Sequence, residues 1–349
     1  MRGRAGSLGD GRIAGIDIAR GIAIIGMFVA HAIPRPDDTE LIADGRSSIL
    51  FATLAGVSLG IITGGSHPAE RGRRFDLVMS ILVRAVCLFL LGVCLGALTS
   101  EVAVILDYYA FMFVLLTPVL FLRRSVLAVV AGVLVIVAPA LAAATEEPTG
   151  ETLLSMLQFY LLDGVYPALV WMPFLITGLI AARSGLGRAS TQYAMMIGGA
   201  LAACVGYGAS QLLPDLTAEA HSGTPSEVLG SGGVAIAVIG VLLWLTSPER
   251  AGFGRVVRAL AWPLGATGSM ALTVYTLQIL TLSIFVVLRD ESGGQVQYPG
   301  WPLLIGMTLA SLLFASVWRA TLGKGPLERL LAFVSRSPRS RREDVSAPV

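Results

Sequence analysis

The stretch "ARGIAIIGMFVAHAIP", residues 19–34, has the apolar run of a membrane helix, yet it keeps an arginine near one end and a histidine at the other. A bilayer-spanning helix needs roughly 20 predominantly apolar residues. An ionisable side chain within one costs at least about 2.5 kcal/mol on insertion scales, so Arg20 and His31 are functional candidates by default. Working outward, the rest of the chain follows the same apolar pattern. Of its 349 residues 55% are hydrophobic and only 14% charged, far more apolar surface than a soluble core of this length requires. Runs long enough to span fall at 13–33, 47–65, 77–99, 102–122, 125–144, 164–182, 191–213, 228–246, 263–288 and 301–320. The expectation is an all-α polytopic membrane protein, a bundle of about ten transmembrane helices. Residues 1–330 form its single membrane domain, and residues 331–349 form a disordered, basic tail rich in Ser, Pro and Arg.

Basic residues set the orientation, because cytoplasmic loops retain Lys and Arg. Arg2, Arg4 and Arg12 precede the first span. Arg71, Arg73 and Arg74 follow the second, Arg123 and Arg124 the fourth, Arg183 and Arg188 the sixth, and Arg250, Arg255 and Arg258 the eighth. The alternate loops hold only Arg35, Arg46 and Arg289, and collect acidic residues instead, among them Glu40, Asp44, Glu101, Asp163, Glu219 and Glu227. Ten spans with both termini cytoplasmic fit this alternation. No cleavable signal peptide is expected, since the first apolar run is long, is interrupted by Arg20 and has no small-residue cleavage site after it. Lys324 is the single lysine among 25 basic residues, a coding bias that fits a GC-rich genome and a bacterial plasma membrane. Cys87, Cys94 and Cys204 all fall within spans and read as packing residues, not as a disulfide framework. A segment before the sixth span, "TLLSMLQFYLLDGVYP", reads as a short interfacial helix. Gly56 with Gly60, and Gly92 with Gly96, have the four-residue spacing that lets membrane helices approach closely.

The polar residues within spans fall into two sets. Asp17 and Arg20 stand three apart on one helix face, where they can neutralise each other. Arg84 has no carboxylate within four residues and needs a partner from another helix or a ligand. Arg20 and Arg84 both lie about 10 Å from the cytoplasmic ends of their spans at 1.5 Å per residue, around one pocket suited to an anion. His31 lies near the opposite end of the first span, and Asp107 falls at a similar depth on the fourth. A carboxylate beside an imidazole would fix its tautomer and strengthen it as a general base. His221, Ser222 and Glu227, at the outer mouth before the eighth span, are candidates for recognising an acceptor. Three histidines without companion cysteines or ligand spacing predict no metal, and no feature points to nucleic acid. From Arg20 to His31 is about 16 Å along a helix axis. Acyl-coenzyme A has a shape to match, with phosphates at one end and a thioester on a long arm.

At these residues the chain resembles a known group. Arg20 and His31, separated by ten residues, resemble the first-helix motif of the acyltransferase-three family of membrane O-acyltransferases. "GIDIARGIAIIGMFVAH" (15–31) and "LFATLAGVSLG" (50–60) are similar to the heparan-alpha-glucosaminide N-acetyltransferase-like family, and so are "HSGTPSEVLGSGGVAIAVIG" (221–240), "GSMALTVYTLQIL" (268–280) and "GKGPLERLLAF" (323–333). The resemblance implies a transmembrane acyltransferase that passes an acyl group from cytoplasmic acyl-CoA, with acetyl-CoA favoured, to a sugar or glycolipid across the bilayer. It gives His31 the place of the catalytic histidine and Arg20 that of its paired basic residue. The asparagine- and tryptophan-rich loop that follows the histidine in animal lysosomal members is absent here, which leaves hydroxyl and amine acceptors both open. A homodimer also stays open. The rival expectation is a transporter or flippase for a small molecule or lipid-linked sugar, resting on the number of spans and on "GATGS" (265–269) as a site for a broken helix.

Overall fold

The computed structural model describes residues 12–35, 39–146, 150, 152–213, 215–250 and 252–335. Among them the chain forms α1 (Ala14–Ala32), α2 (Arg46–Ile62), α3 (Arg71–Gly96), α4 (Leu106–Leu116), α5 (Arg124–Ala143), α6 (Leu153–Leu161) and α7 (Ala168–Ser184). It continues with α8 (Ala189–Leu212), α9 (Pro225–Leu245), α10 (Phe253–Leu260), α11 (Trp262–Ser269), α12 (Ala271–Glu291), α13 (Trp301–Thr321) and α14 (Pro326–Val334). No strand occurs among the described residues. Seven helices, α1, α3, α5, α8, α9, α12 and α13, are long and apolar enough to cross a membrane, whereas α2, α4 and α7 are apolar but shorter. The chain is therefore a multi-pass helical membrane protein. Each segment expected to span contains a helix, and the short helix expected before the sixth span is α6, whose N-cap Thr152 accepts a hydrogen bond from Ser155 N.

The shorter helices α2 and α7 run through the centre. Ile49, Leu54, Val57 and Leu59 on α2, and Leu175, Ile176 and Leu179 on α7, are buried, while Val86 on α3, Val129 on α5, Leu201 on α8 and Leu309 on α13 face outward. A helix apolar on all sides is stable only inside such a shell or in lipid. Lipid tails give helices no hydrophobic reason to associate, so close packing of small residues takes over. A Cβ on Gly56 would lie 1.9 Å from Leu175 O, and one on Gly178 would lie 2.0 Å from Thr53 O. Gly60 and Gly92 are equally confined, by Ala182 and by the backbone of Asp107, but Gly96 has open space around it and is not the packing residue its spacing implied. Arg183, buried at the end of α7, donates to the carbonyls of Gly60, Gly65 and Leu120 and to Thr63 Oγ1, which pins the turn after α2 to the end of the α4 segment.

The segment expected as one span over 263–288 is two helices. The chain leaves helical geometry at Met270 (φ −124°, ψ 38°), between α11 and α12. The break lets α11 cross α1 at backbone contact, with Gly268 against Asp17 O and Gly21 against Leu264 O. A helix start inside an apolar bundle exposes unpaired N–H groups. Glu328 of α14 meets one, accepting from Thr273 N (3.1 Å) and Thr273 Oγ1 (2.6 Å). This contact draws α14 into the bundle, so residues 331–334 are helix and not the start of a tail as expected. Residues 336–349, the remainder of that expected tail, lie outside the described residues.

The packing makes a paired prediction. Gly56→Leu forces a side chain into the α7 backbone and should abolish the folded, monodisperse fraction in detergent, whereas Gly96→Leu should elute and melt like the wild type. Equal behaviour of the two variants in size-exclusion and thermal-shift measurements would contradict the α2–α7 crossing.

Candidate functional site

Two cavities reach into the bundle from opposite ends of α1. The first, of about 330 Å³, is lined by Arg12, Arg20, Ser58, Arg84, Tyr109, Tyr275, Lys324 and Glu328. Asp17 organises it, accepting from Arg12 Nε (2.9 Å), Arg12 Nη2 (3.0 Å) and Arg20 Nη1 (2.9 Å), with Arg319 Nη1 at 4.0 Å. The expected neutralisation of Arg20 by Asp17 is thus present, with more than one cation sharing the carboxylate. Arg20 Nη2 also donates to Ser58 Oγ at 2.8 Å. Arg84 is different. Its hydrogen bond among the described residues runs from Nε to the neutral Ser335 Oγ (3.1 Å), and no carboxylate there pairs with it. Arg20 and Arg84 do line one pocket, as their depths predicted.

The second cavity, of about 700 Å³, is lined by His31, Arg35, Glu40, Asp44, Ser47, Tyr166, Glu219, His221 and Tyr275, among others. Its rim is a polar lattice. Arg35 donates to Asp44 Oδ1 (2.8 Å) and Ala30 O (2.7 Å). Arg46 bonds Glu40 and Tyr207 Oη, and Glu40 Oε2 accepts from Ala220 N (3.2 Å), joining the loop before α2 to the loop before α9. His221 packs edge-on to Tyr166 and parallel to Trp171. Desolvation by the surrounding rings and loop holds its imidazole below the ordinary histidine value, although the residue keeps an exposed edge. Its φ of +62° is uncommon for a residue with a side chain and marks strain held by the surrounding loop.

His31 is not oriented by Asp107. Its Nδ1 meets Gln278 Nε2 at 2.9 Å, so its partner is a neutral amide from α12. Asp107 accepts from Tyr160 Oη (3.0 Å) and Tyr108 N (3.1 Å), tying α6 to α4 inside an aromatic cluster where Phe111 stacks on Tyr160. Equal depth did not mean equal direction: the start of α4 is turned onto Gly92 of α3. Ser222 and Glu227 also act differently from expectation. Glu227 accepts from His221 N (2.7 Å), Gly223 N (2.8 Å) and Ser222 Oγ (3.4 Å), while Thr224 Oγ1 accepts from Glu227 N (3.1 Å). Both carboxylate oxygens are therefore engaged in shaping the loop that carries His221. Of the three, only His221 lines the cavity.

Sequence reasoning missed Gln278, Tyr275, Tyr166 and the Arg35–Asp44 pair. The signal for Glu227 was available in "TPSE" (224–227), a capping box with proline at the first helical position. Gln278 carried no charge to mark it. Tyr275 is the residue on which the two cavities meet: it lines both, and its Oη accepts from Ile105 N at 3.3 Å. Nearby, Tyr109 Oη is buried on the Arg20 side with no hydrogen-bond partner among the described residues.

These features define a helical membrane protein with a cationic cavity at one end, an imidazole-bearing cavity at the other, and a tyrosine between. Residues 180–335 match a family described as "Protein of unknown function (DUF418)". The matched part contains His221, Glu227, Tyr275 and Gln278 but neither Arg20 nor His31. No curated protein matches the chain.

Replacing Glu227 by Ala leaves the half-buried N–H groups of His221 and Gly223 without their acceptor, a cost of about 1 kcal/mol. Limited proteolysis should then cut within 215–224 at a protease concentration that leaves the wild type intact. An unchanged cleavage pattern would contradict the capping role.

Proposed function

We propose that the protein is an integral-membrane acyltransferase of the acyltransferase-three and heparan-alpha-glucosaminide N-acetyltransferase-like type that its first helix resembles. It takes an acyl group, acetyl in the first instance, from acyl-CoA at the arginine-rich end and gives it to a hydroxyl or amine of a sugar or glycolipid at the His31 end. The observation that carries this reading is the shared wall. Arg20 and Arg84 line one cavity, His31 lines the other, and Tyr275 belongs to both. In this proposal the helices make ten crossings of a bacterial plasma membrane with both termini cytoplasmic, as the distribution of arginine supports.

Arg84 has the chemistry for the donor's phosphates. A guanidinium offers five N–H donors in a planar fork, and its bonding to protein among the described residues is to a serine hydroxyl. Arg20 and Lys324 add positive charge, while Asp17 keeps Arg20 in place without removing its Ser58-facing nitrogen from the cavity. The pantetheine arm extends along α1 toward Tyr275, which has to turn aside for the thioester to reach His31. There the acceptor's oxygen or nitrogen attacks the thioester carbonyl carbon, the carbon–sulfur bond breaks, and the acceptor's proton passes to His31 and then to the leaving thiolate. For this step the Gln278 amide turns over, so that its oxygen accepts from His31 Nδ1–H and the other ring nitrogen is free to take the proton. A transient acyl-imidazole would use the same geometry and would leave acyl label on the protein in acid-quenched reactions. The broken helix at Met270 is the feature that favours a transporter instead, and sealed vesicles that accumulate a candidate solute without acyl transfer would favour that reading.

Two substitutions test the assignment. His31→Ala should lower transfer of radioactive acetyl from acetyl-CoA in membranes by about 10²- to 10⁴-fold, the range for loss of a general base, and leave acetyl-CoA binding intact; wild-type turnover would sink the proposal. Arg84→Ala removes charge-assisted hydrogen bonds of about 1.5–3 kcal/mol each, so the KM for acetyl-CoA should rise on the order of tenfold or more. An unchanged KM would remove Arg84 from the donor site.

A further inference from the structure

A third cavity, of about 550 Å³, lies between α12 and α13. It exists because α13 packs on α11 and α1 and leaves its neighbour in sequence largely uncovered. Its wall includes Phe28, Leu277, Gln278, Gly306, Ala310 and Phe314, and no charged residue lines it. The helix surface around it faces outward: Leu277 is 44% exposed, and Leu309 and Leu313 on α13 are 61% and 68% exposed. In a membrane these faces meet lipid, so hydrocarbon chains are the molecules with direct access to the groove.

Four uncharged polar residues, Gln278, Thr281, Gln297 and Ser311, interrupt this apolar wall, and Gln278 is the one that also meets His31. Gln278 is 2% exposed; its Nε2 bonds His31 Nδ1 at 2.9 Å, and its Oε1 is buried with no hydrogen-bond partner among the described residues. A buried amide atom without a partner costs about 1–3 kcal/mol, which a ligand hydroxyl, able to donate or to accept, would recover. Gln278 therefore joins two spaces: the groove it lines, and the polar cavity lined by its partner His31. A free sugar would use the polar cavity, rimmed by Arg35, Glu40 and Asp44. It would have no use for an uncharged groove facing the bilayer.

We infer that the acceptor is lipid-linked: its hydrocarbon chain lies between α12 and α13, and a hydroxyl of its head group pairs with the Gln278 amide atom turned away from His31 while its reacting group meets His31. This rests on the acyltransferase reading and narrows its acceptor to a membrane lipid. The balance is that of the proposed transfer, with the lipid's O–H or N–H replaced by O–acyl or N–acyl and coenzyme A released as the thiol.

The test uses membranes containing the full chain, incubated with radioactive acetyl-CoA and then extracted with chloroform–methanol. The expected result is label in the organic phase that is absent from membranes lacking the protein. A Cβ at Gly306 meets no atom within 4 Å, so Gly306→Leu starts its side chain in open space on the groove wall, and Ala310→Phe is an independent second filler. Each should cut organic-phase label at least tenfold while leaving acetyl-CoA binding within twofold of wild type. Label confined to the aqueous phase, or organic label unaffected by both fillers, would overturn the inference. If wild-type membranes transfer acetyl to neither phase, the acyltransferase reading itself fails, and the lipid-linked acceptor with it. Groove occupancy then has its own readout, photolabelling by a phospholipid carrying a diazirine on its acyl chain. Labelling of Ala310 at least threefold above Leu309 and Leu313 supports a seated chain, and equal labelling rejects it.

Discussion

The carboxylate of Asp17 carries the arginine end of this structure. Isolated cations inside a membrane helix bundle are costly, and one buried acid accepts hydrogen bonds from both Arg12 and Arg20, with Arg319 close by. The same turn of α1 receives α11 at backbone contact, Gly268 lying against the Asp17 carbonyl. That crossing sets where α11 must stop, and the stop at Met270 starts α12 inside the bundle. The exposed start of α12 in turn requires Glu328, which draws α14 and Lys324 to the cavity. A cationic pocket within an apolar bundle is thus sustained by two acids that order its edge, while Arg84 keeps its charge unpaired with any described carboxylate.

The histidine end is governed by a neutral partner. An aspartate against Nδ1 would favour the imidazolium and so strengthen His31 as a base. An amide fixes the ring without favouring its charged form. With Nε2 of Gln278 donating, Nδ1 accepts and the ring proton sits on the other nitrogen; His31 takes a proton only when the amide turns over and its oxygen accepts from Nδ1–H. Two acids of this cavity, Asp44 and Glu40, are spent on arginines of the rim, and Glu227 is spent on the backbone of the His221 loop. The charges shape the mouth, and the uncharged groups His31, Tyr166 and Tyr275 line the cavity with them, Gln278 standing behind His31.

The helices were legible because a span is written as a long apolar run, and the helix ends fell close to the ends of those runs. Arg20, Arg84 and His31 were legible because a polar residue in such a run stands out against it. Asp107 was misread because depth along a helix is easy to count, while the direction a residue faces depends on packing such as that of Gly92 against α4. Glu227 was misread because its location in an acidic loop hid the capping box that binds it. Gln278 could not be found, since its partner is 247 residues away in sequence and a lone glutamine in an apolar helix carries little signal. The break at Met270 was foreshadowed by the small residues of "GATGS", but its purpose, a backbone crossing over Asp17, emerges only from the packing.

The central claim is that one bundle connects a donor at the arginine end to an acceptor at the histidine end. Sealed membrane vesicles of defined orientation, wild type and His31→Ala, test it when acetyl-CoA is supplied to one face only and acetylated product is assayed on the other. The account predicts that acetyl-CoA at the arginine-rich face alone gives product on the opposite face, with free coenzyme A thiol released on the donor side, and that His31→Ala gives neither. Product formed on the face to which acetyl-CoA was added, or equal product from either face, would contradict it.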